Sequence, residues 1–453
     1  MKKHKRSDDI LRQRGLKRHL KESDKVRIHI FHEGNGPYIR ERSWYEKLKA
    51  EQALAKKEVK PTRLLEFLSN IPEIFSEKKF KFKSYEVLEV PKIFSFIDNY
   101  SESFDFLKQL HLALQKNSIS SLSLDYQKCI RIDVDASICM DILLSEFFFM
   151  KKQFQNRGLS WGPEIHPINY NTNENVAKFL FSIGAFRGTL KLKFKDVTPL
   201  DLLINSRERS DRWNLSELHQ TEIVDYIISC LGNLNRSLTI DAETEFYKVI
   251  GEVMSNAEEH SSMPLRYAIG YFQEYEDHHY GIFNFTIFNF GETIYEKFKS
   301  PACPNKAVVE KMKTLSAEFT NKSFFKPAKF EEETLWTLYA LQEGVTSTNN
   351  KRGNGSFQYI ENFFRLKGNM RHDQTSKLVL ISGNSRILFD GTYQIQLKPK
   401  QSGEGYHKTI TFNSSNDFSS PPDNKYVTFA NHYFPGTVIS ARILINNSNT
   451  EVL

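Results

Sequence analysis

The chain has 453 residues, 40% hydrophobic content with 36 phenylalanines, and a formal net charge of +7. That length predicts two or three domains with substantial cores. No run approaches 18 apolar residues, which excludes a membrane-spanning helix, and the basic start, Met1 to Gly15, has no apolar stretch and so does not read as a secretory signal.

The positive charge gathers at the N-terminus, where Lys2, Lys3, Lys5, Arg6, Arg12, Arg14, Lys17 and Arg18 outnumber the acids. Such an arm can contact nucleic acid by releasing counterions, or stay solvated. Alternation in Val26 to Phe31 predicts a short strand, and Trp44 to Lys57 a helix, so residues 1–70 read as a basic, partly ordered arm.

Residues 71–205 read as a smaller α/β module. Leu122 and Leu124, then Ile130 and Ile132, alternate as in strands. Asp133 to Ser137 can cap a helix over Ile138 to Gln153, and Asn175 to Gly184 predicts another helix with a glycine stop. Ser206 to Leu218 is polar and reads as a linker. Cys129, Cys139, Cys230 and Cys303 are scattered without metal-ligand spacing and read as reduced, buried thiols of a cytoplasmic protein. Asp277, His278 and His279 stand together, but no second Cys or His motif completes a zinc site.

In residues 206–453 the informative stretch is Ile250 to Ser262. Glu252, Asn256 and His260 are four residues apart, so a helix stacks them on one face. Val249, Ile250, Val253, Met254 and Ala257 supply the apolar stripe. A carboxylate, an amide and an imidazole in line suit a hydrated Mg²⁺ ion and a phosphate chain. A β-rich run over Ile282 to Phe290 then ends in Asn289 and Gly291. Further on, Gly353 and Gly355 sit in a polar loop, and a helix is predicted from near Ser356. Glycines let backbone N–H groups approach phosphates, and a helix N-terminus favours anions. Lys377 to Gly391 reads as a hairpin about a Ser-Gly-Asn-Ser turn. Ser402 to Gly405 and Ser414 to Asn424 read as loops, and Phe434 to Ile445 as a last strand containing Gly436 and Thr437.

These pieces, in this order, resemble the GHKL superfamily of histidine-kinase-like ATPases, which includes gyrase, heat-shock chaperones, histidine kinases and mismatch-repair ATPases. Glu252, Asn256 and His260 match its N-box, in the form seen in bacterial domains. Asn289 and Gly291 match its G1 box, Asp-x-Gly-x-Gly, with Asn289 in place of the Asp and Thr293 in place of the second Gly. Gly344, Thr346 and Ser347, then Gly353, Gly355 and Ser356, match the G2 box and its lid. Gly436 and Thr437 match the closing Gly-Thr.

The resemblance implies an α/β (α+β) sandwich with a mixed sheet, helices on one face, and ATP held between helices and lid. It implies that Asn256 ligates Mg²⁺, Glu252 positions or activates water, and His260 contacts phosphate. Asn289 and Gly291 would hold adenine, Gly353, Gly355 and Ser356 cradle phosphates, and Thr437 support the base. Dimerisation on ATP is common in that superfamily. A neutral amide accepts a hydrogen bond more weakly than a carboxylate, so Asn289 weakens the adenine contact.

The middle module resembles STAS domains in its strand, turn and helix order. Asp133, Val134, Asp135 and Ala136 stand where that family has Asp-Ser-Ser-Gly, so the phosphoacceptor hydroxyls are missing. This implies a protein-interaction or sensing role without the phosphorylation switch. The function expected is an ATP-driven conformational switch or slow ATPase acting on a protein partner in a regulatory setting. The alternatives are a serine or histidine kinase of the anti-sigma type, or a non-catalytic scaffold for protein or nucleic acid.

Overall fold

The computed structural model describes residues 62–69, 85–115, 120–158, 161–183, 196–206, 208–259, 262–275, 280–320, 330–347, 355–367, 373–399 and 405–453. The strand and helix expected at Val26–Phe31 and Trp44–Lys57 lie outside them, as do His260, Gly353 and the Asp277–His279 group. All the described residues except 149–158 and Trp161 fall in one compact unit, Thr62–Phe148 with Gly162–Leu453. The boundary expected at residues 205 and 206 therefore falls inside that unit.

The elements, in chain order, begin with α1 (Arg63–Ser69), β1 (Tyr85–Glu89), β2 (Ile93–Phe94), α2 (Tyr100–Leu114), β3 (Ser121–Asp125) and β4 (Arg131–Ile132). There follow α3 (Val134–Gln155), β5 (Glu164–Ile168), α4 (Glu174–Ser182) and β6 (Val197–Ser206). Strands β1, β3 and β5 form a small parallel sheet, with β3 in the middle. Parallel neighbours need crossover connections, and α2 and α3 supply them. Helix α3 starts four residues earlier than the capping pattern predicts. The Asp135 carboxylate accepts from the backbone N–H groups of Phe96 and Ile97 at 3.1 and 3.2 Å, so it ties the helix start to the β2–α2 loop. Asn173 caps α4 by accepting from Asn175 and Val176.

The second half runs through α5 (Arg212–Gly232), β7 (Arg236–Leu238), α6 (Ile240–Glu259), β8 (Leu265–Tyr275) and β9 (Tyr280–Phe290). Next come α7 (Ile294–Lys299), α8 (Lys306–Thr320), α9 (Glu332–Ala340), α10 (Gly355–Lys367) and β10 (Lys377–Phe389). The chain ends with β11 (Gln396–Pro399), β12 (Tyr406–Thr409), β13 (Val427–Ile445) and β14 (Thr450–Val452). Five strands make the main sheet in the order β10, β13, β9, β8, β6. The fold class is α/β in the α+β sense, as expected, but all four pairings in this sheet are antiparallel, in place of the mixed sheet that the resemblance implies.

Two other expectations are corrected. The polar stretch from Ser206 is only briefly a loop, because α5 begins at Arg212 and buries Ile223, Val224 and Ile227. The Lys377–Gly391 segment is one bulged strand and not a hairpin. Lys377 to Ser382 pair with Arg442 to Thr437, and Ser385 to Ile387 pair with Phe429 to Val427. Gly383, at φ +59°, absorbs the register shift without reversing the chain.

Alternate residues on β9 divide between two cores. Phe283, Phe285 and Ile287 join Val249, Val253, Trp336, Ile360 and Phe363 beneath the helices. Thr286 and Phe288 are fully buried on the opposite face, where the smaller layer packs. There Phe96 meets Phe434 edge-to-face at 6.4 Å, and Tyr100 donates to the carbonyl of His432 at 3.0 Å. Covering both faces explains the almost unbroken burial along β8 and β9. Among the described residues, no helix is long and apolar enough to cross a membrane, and all four cysteines are buried.

Candidate functional site

Helix α6 carries the first expected residues. The hydroxyl of Thr239 accepts from Ala242 N–H, and Asp241 and Glu243 place negative charge in the first turn, where the helix dipole favours it. Phe246, Val249, Ile250, Val253, Met254 and Ala257 are buried. Glu252 and Asn256 are half-buried one turn apart. The Asn256 amide nitrogen is buried with no hydrogen-bond partner.

Helix α10 packs beside α6. Arg365 pairs with Glu245 at 3.3 Å, and Asn449 joins the carbonyl of Leu366 to the amide of Thr239. The C-terminal end of α10 therefore lies beside the N-terminal end of α6. The two helices are in contact, and these end-to-start pairings set them antiparallel. The ten residues from Arg365 back to Gly355 rise about 15 Å, which puts the start of α10 level with the Ser255–Asn256 turn. Gly355 and Ser356 form the first turn of that helix, as the sequence predicts.

The sheet brings the remaining residues together. Thr437 on β13 is the register partner of Asn289 on β9, and Ser382 on β10 is the register partner of Thr437. Asn289 is 2% exposed. Its amide donates to the carbonyl of Ala257 at 2.6 Å, and its oxygen accepts from Thr437 N–H at 3.3 Å. Both ends of that side chain are thus engaged within the protein. Ser382, which sequence reasoning did not single out, lies 3.0 Å from the Thr437 hydroxyl and accepts from Ile294 N–H at 2.9 Å.

The turn at Gly291 is built for close approach. Gly291 has φ +133°, and a Cβ there would lie 2.4 Å from the Ser262 hydroxyl. Gly436 has φ +143°, and a Cβ there would lie 2.2 Å from the carbonyl oxygen of Asn289. Thr293, expected from the resemblance to be a glycine, caps α7. Its hydroxyl accepts from Glu296 N–H at 3.1 Å, and the Glu296 carboxylate accepts from Thr293 N–H at 2.8 Å. This is a complete capping box, which a glycine could not form. Asn305 donates to the carbonyl of Thr346 at 2.9 Å and so anchors the segment 344–347.

A buried charge cluster, which no local sequence pattern marks, stands beside the end of α6. Glu258 and Arg266 are 5% and 1% exposed and pair at 2.8 Å. Asn205 and Ser216 also donate to the same carboxylate oxygen, at 2.9 and 3.1 Å. Burial lowers the Arg266 pKa from its ordinary value. His219 lies 3.3 Å from Arg266, and burial together with that guanidinium brings its pKa down to about 4. The cluster clamps the C-terminal turn of α6 to β6, α5 and β8. Only the fold makes it visible, because its members come from four separate elements.

Among the described residues, no group of three His, Cys, Asp or Glu side chains is placed to hold a metal ion. An Asn–Glu pair that leaves most ligand positions to water is a different arrangement, and the orphan amide of Asn256 fits it. No protein-family model, curated protein or solved structure matches the chain.

Proposed function

We propose that the chain binds MgATP between α6, the start of α10 and the β9–β13 strand ends, and works as an ATP-driven conformational switch or slow ATPase toward a protein partner. The reading takes residues 206–453 as a GHKL-type ATPase domain and the preceding layer as STAS-like. Asn256 is the observation that carries it. An amide oxygen and nitrogen exchange places by a simple flip, so a partnerless buried amide can turn its oxygen to a cation. Glu252, one turn earlier, would orient a metal-bound or attacking water. The first turn of α10 would take the phosphates on its free N–H groups. Thr437 would support the base side.

One observation favours a second reading, a non-catalytic scaffold. Asn289 already spends its donor on Ala257 and its acceptor on Thr437, so adenine must displace a bond to be read there.

Calorimetry with MgATP on the native chain, Asn256→Ala and Glu252→Ala tests the proposal. Binding by the native chain and its loss in Asn256→Ala is the expected result. If the native chain gives no heat with ATP, ADP or GTP at any magnesium concentration, the switch fails and the scaffold stands. Labelled γ-phosphate then separates hydrolysis, with phosphate in solution, from kinase activity, with phosphate on protein.

A further inference from the structure

We propose that the gap between the smaller α/β layer and the outer face of the main sheet binds a small, planar, uncharged heteroaromatic molecule with a lactam edge, a ring carbonyl beside a ring N–H. The cavity measures about 430 Å³, within the roughly 300–1,000 Å³ of small-molecule sites. It lies on the sheet face opposite Asn289 and Thr437, so it does not depend on the nucleotide reading.

The two layers meet around this space and not across it. On one side Arg442 bridges Asp98 at 2.9 Å and Asp133 at 2.6 Å. On the other, Phe179 packs edge-to-face on Tyr271 at 5.6 Å. The cleft is partly open to solvent and large enough to admit a small ring system.

The lining selects its chemistry. Tyr271, Tyr275 and Ile132 offer aromatic and apolar walls suited to a flat ring. Gln273, Asn284 and Asn175 bring amides, which donate and accept as a lactam edge does. The charges of the lining are paired among themselves. Arg442 and Arg131 share Asp98 and Asp133, and Lys178 has Glu174 and Asp196, each at 3.1 Å. An anion could be matched here only by breaking one of these ion pairs, which a neutral ring leaves intact.

One donor is poorly satisfied. Arg131 gives Nη2 to Asp98, while its buried Nε–H has an ion-pair contact with Asp133 Oδ1 at 3.4 Å but no hydrogen bond. Buried N–H groups that make no hydrogen bond are rare in native structures. A ring carbonyl would supply one.

Ligand-observed saturation-transfer NMR on the full chain tests the site, with hypoxanthine and uracil as neutral lactams and benzoate as a charged ring. We expect transfer to at least one lactam, weakened tenfold or more by Arg131→Gln and unchanged by Asn256→Ala. The Arg131 side chain is 39% exposed, so its replacement spares the core. Gln273→Leu serves as a second variant and is expected to weaken the same signal. Silence from both lactams, as from a water-filled seam, overturns the proposal. So does a preference for benzoate, a signal that neither cavity variant moves, or a signal lost in Asn256→Ala.

Discussion

Asn289→Asp introduces the acidic residue of the pattern that the sequence resembles, and the structure sets what that change does. The native amide donates to the Ala257 carbonyl at 2.6 Å and is 2% exposed. A carboxylate keeps the acceptor for Thr437 N–H but sets an oxygen against the Ala257 oxygen. An orphaned buried partner costs about 1–3 kcal/mol, and burying the new charge adds to it, so we expect a loss of about 2–4 kcal/mol at pH 8. The sign with pH follows. Burial and the facing carbonyl raise the folded-state pKa of the new carboxyl above the unfolded value of about 3.9. Near pH 4 the carboxyl is protonated, its O–H donates to Ala257, and the loss is smallest. It grows as pH rises through the folded pKa.

If adenine brings its amino group to this carboxylate, MgATP should restore part of the deficit. A ligand at a hundredfold excess over its dissociation constant adds about 2.7 kcal/mol. Urea unfolding followed by the fluorescence of buried Trp336, at pH 5 and pH 8 with and without MgATP, reads all of this. A variant as stable as the native chain at pH 8, or a deficit that ignores pH, would refute the view of Asn289 as a closed clamp.

Three further predictions concern the scaffold. Glu258→Ala leaves Arg266 buried and unpaired and should cost about 3–5 kcal/mol, seen as a lower urea midpoint. His219 is neutral in the fold and takes up a proton on unfolding below its ordinary pKa of 6.5, so native stability should fall as pH drops from 6.5 toward 4. His219→Gln should flatten that slope, and an unchanged slope would place the titration elsewhere. Gly436→Ala drives a methyl into the Asn289 carbonyl, whereas Gly344→Ala at φ +78° meets open space. The first should lower the melting temperature clearly more than the second, and equal shifts would show that the β9–β13 contact is not tight.

The sequence by itself was enough for features that local physics decides. The apolar stripe of α6, the β-rich run of β9 and the polar-to-helical change at Gly355 all follow from local composition and periodicity, which neighbouring residues impose. It also set Glu252 and Asn256 one turn apart, because helix geometry alone does that. It misjudged Ser382 to Ser385, where a Ser-Gly-Asn-Ser string suits a turn as well as a bulge, and only pairing with β13 on both sides decides between them. It also read Arg212 to Leu218 as a linker, since an N-terminal helical turn with few buried residues looks polar.

Tertiary structure alone decided the rest. Register set Thr437 opposite Asn289 across 148 positions, and the packing of α10 on α6 set the end of α10 beside the start of α6. The Glu258–Arg266–His219 cluster and the interlayer cavity belong to the same class. Long-range contacts form when distant apolar faces are buried together, and no local pattern records which polar groups that burial brings face to face.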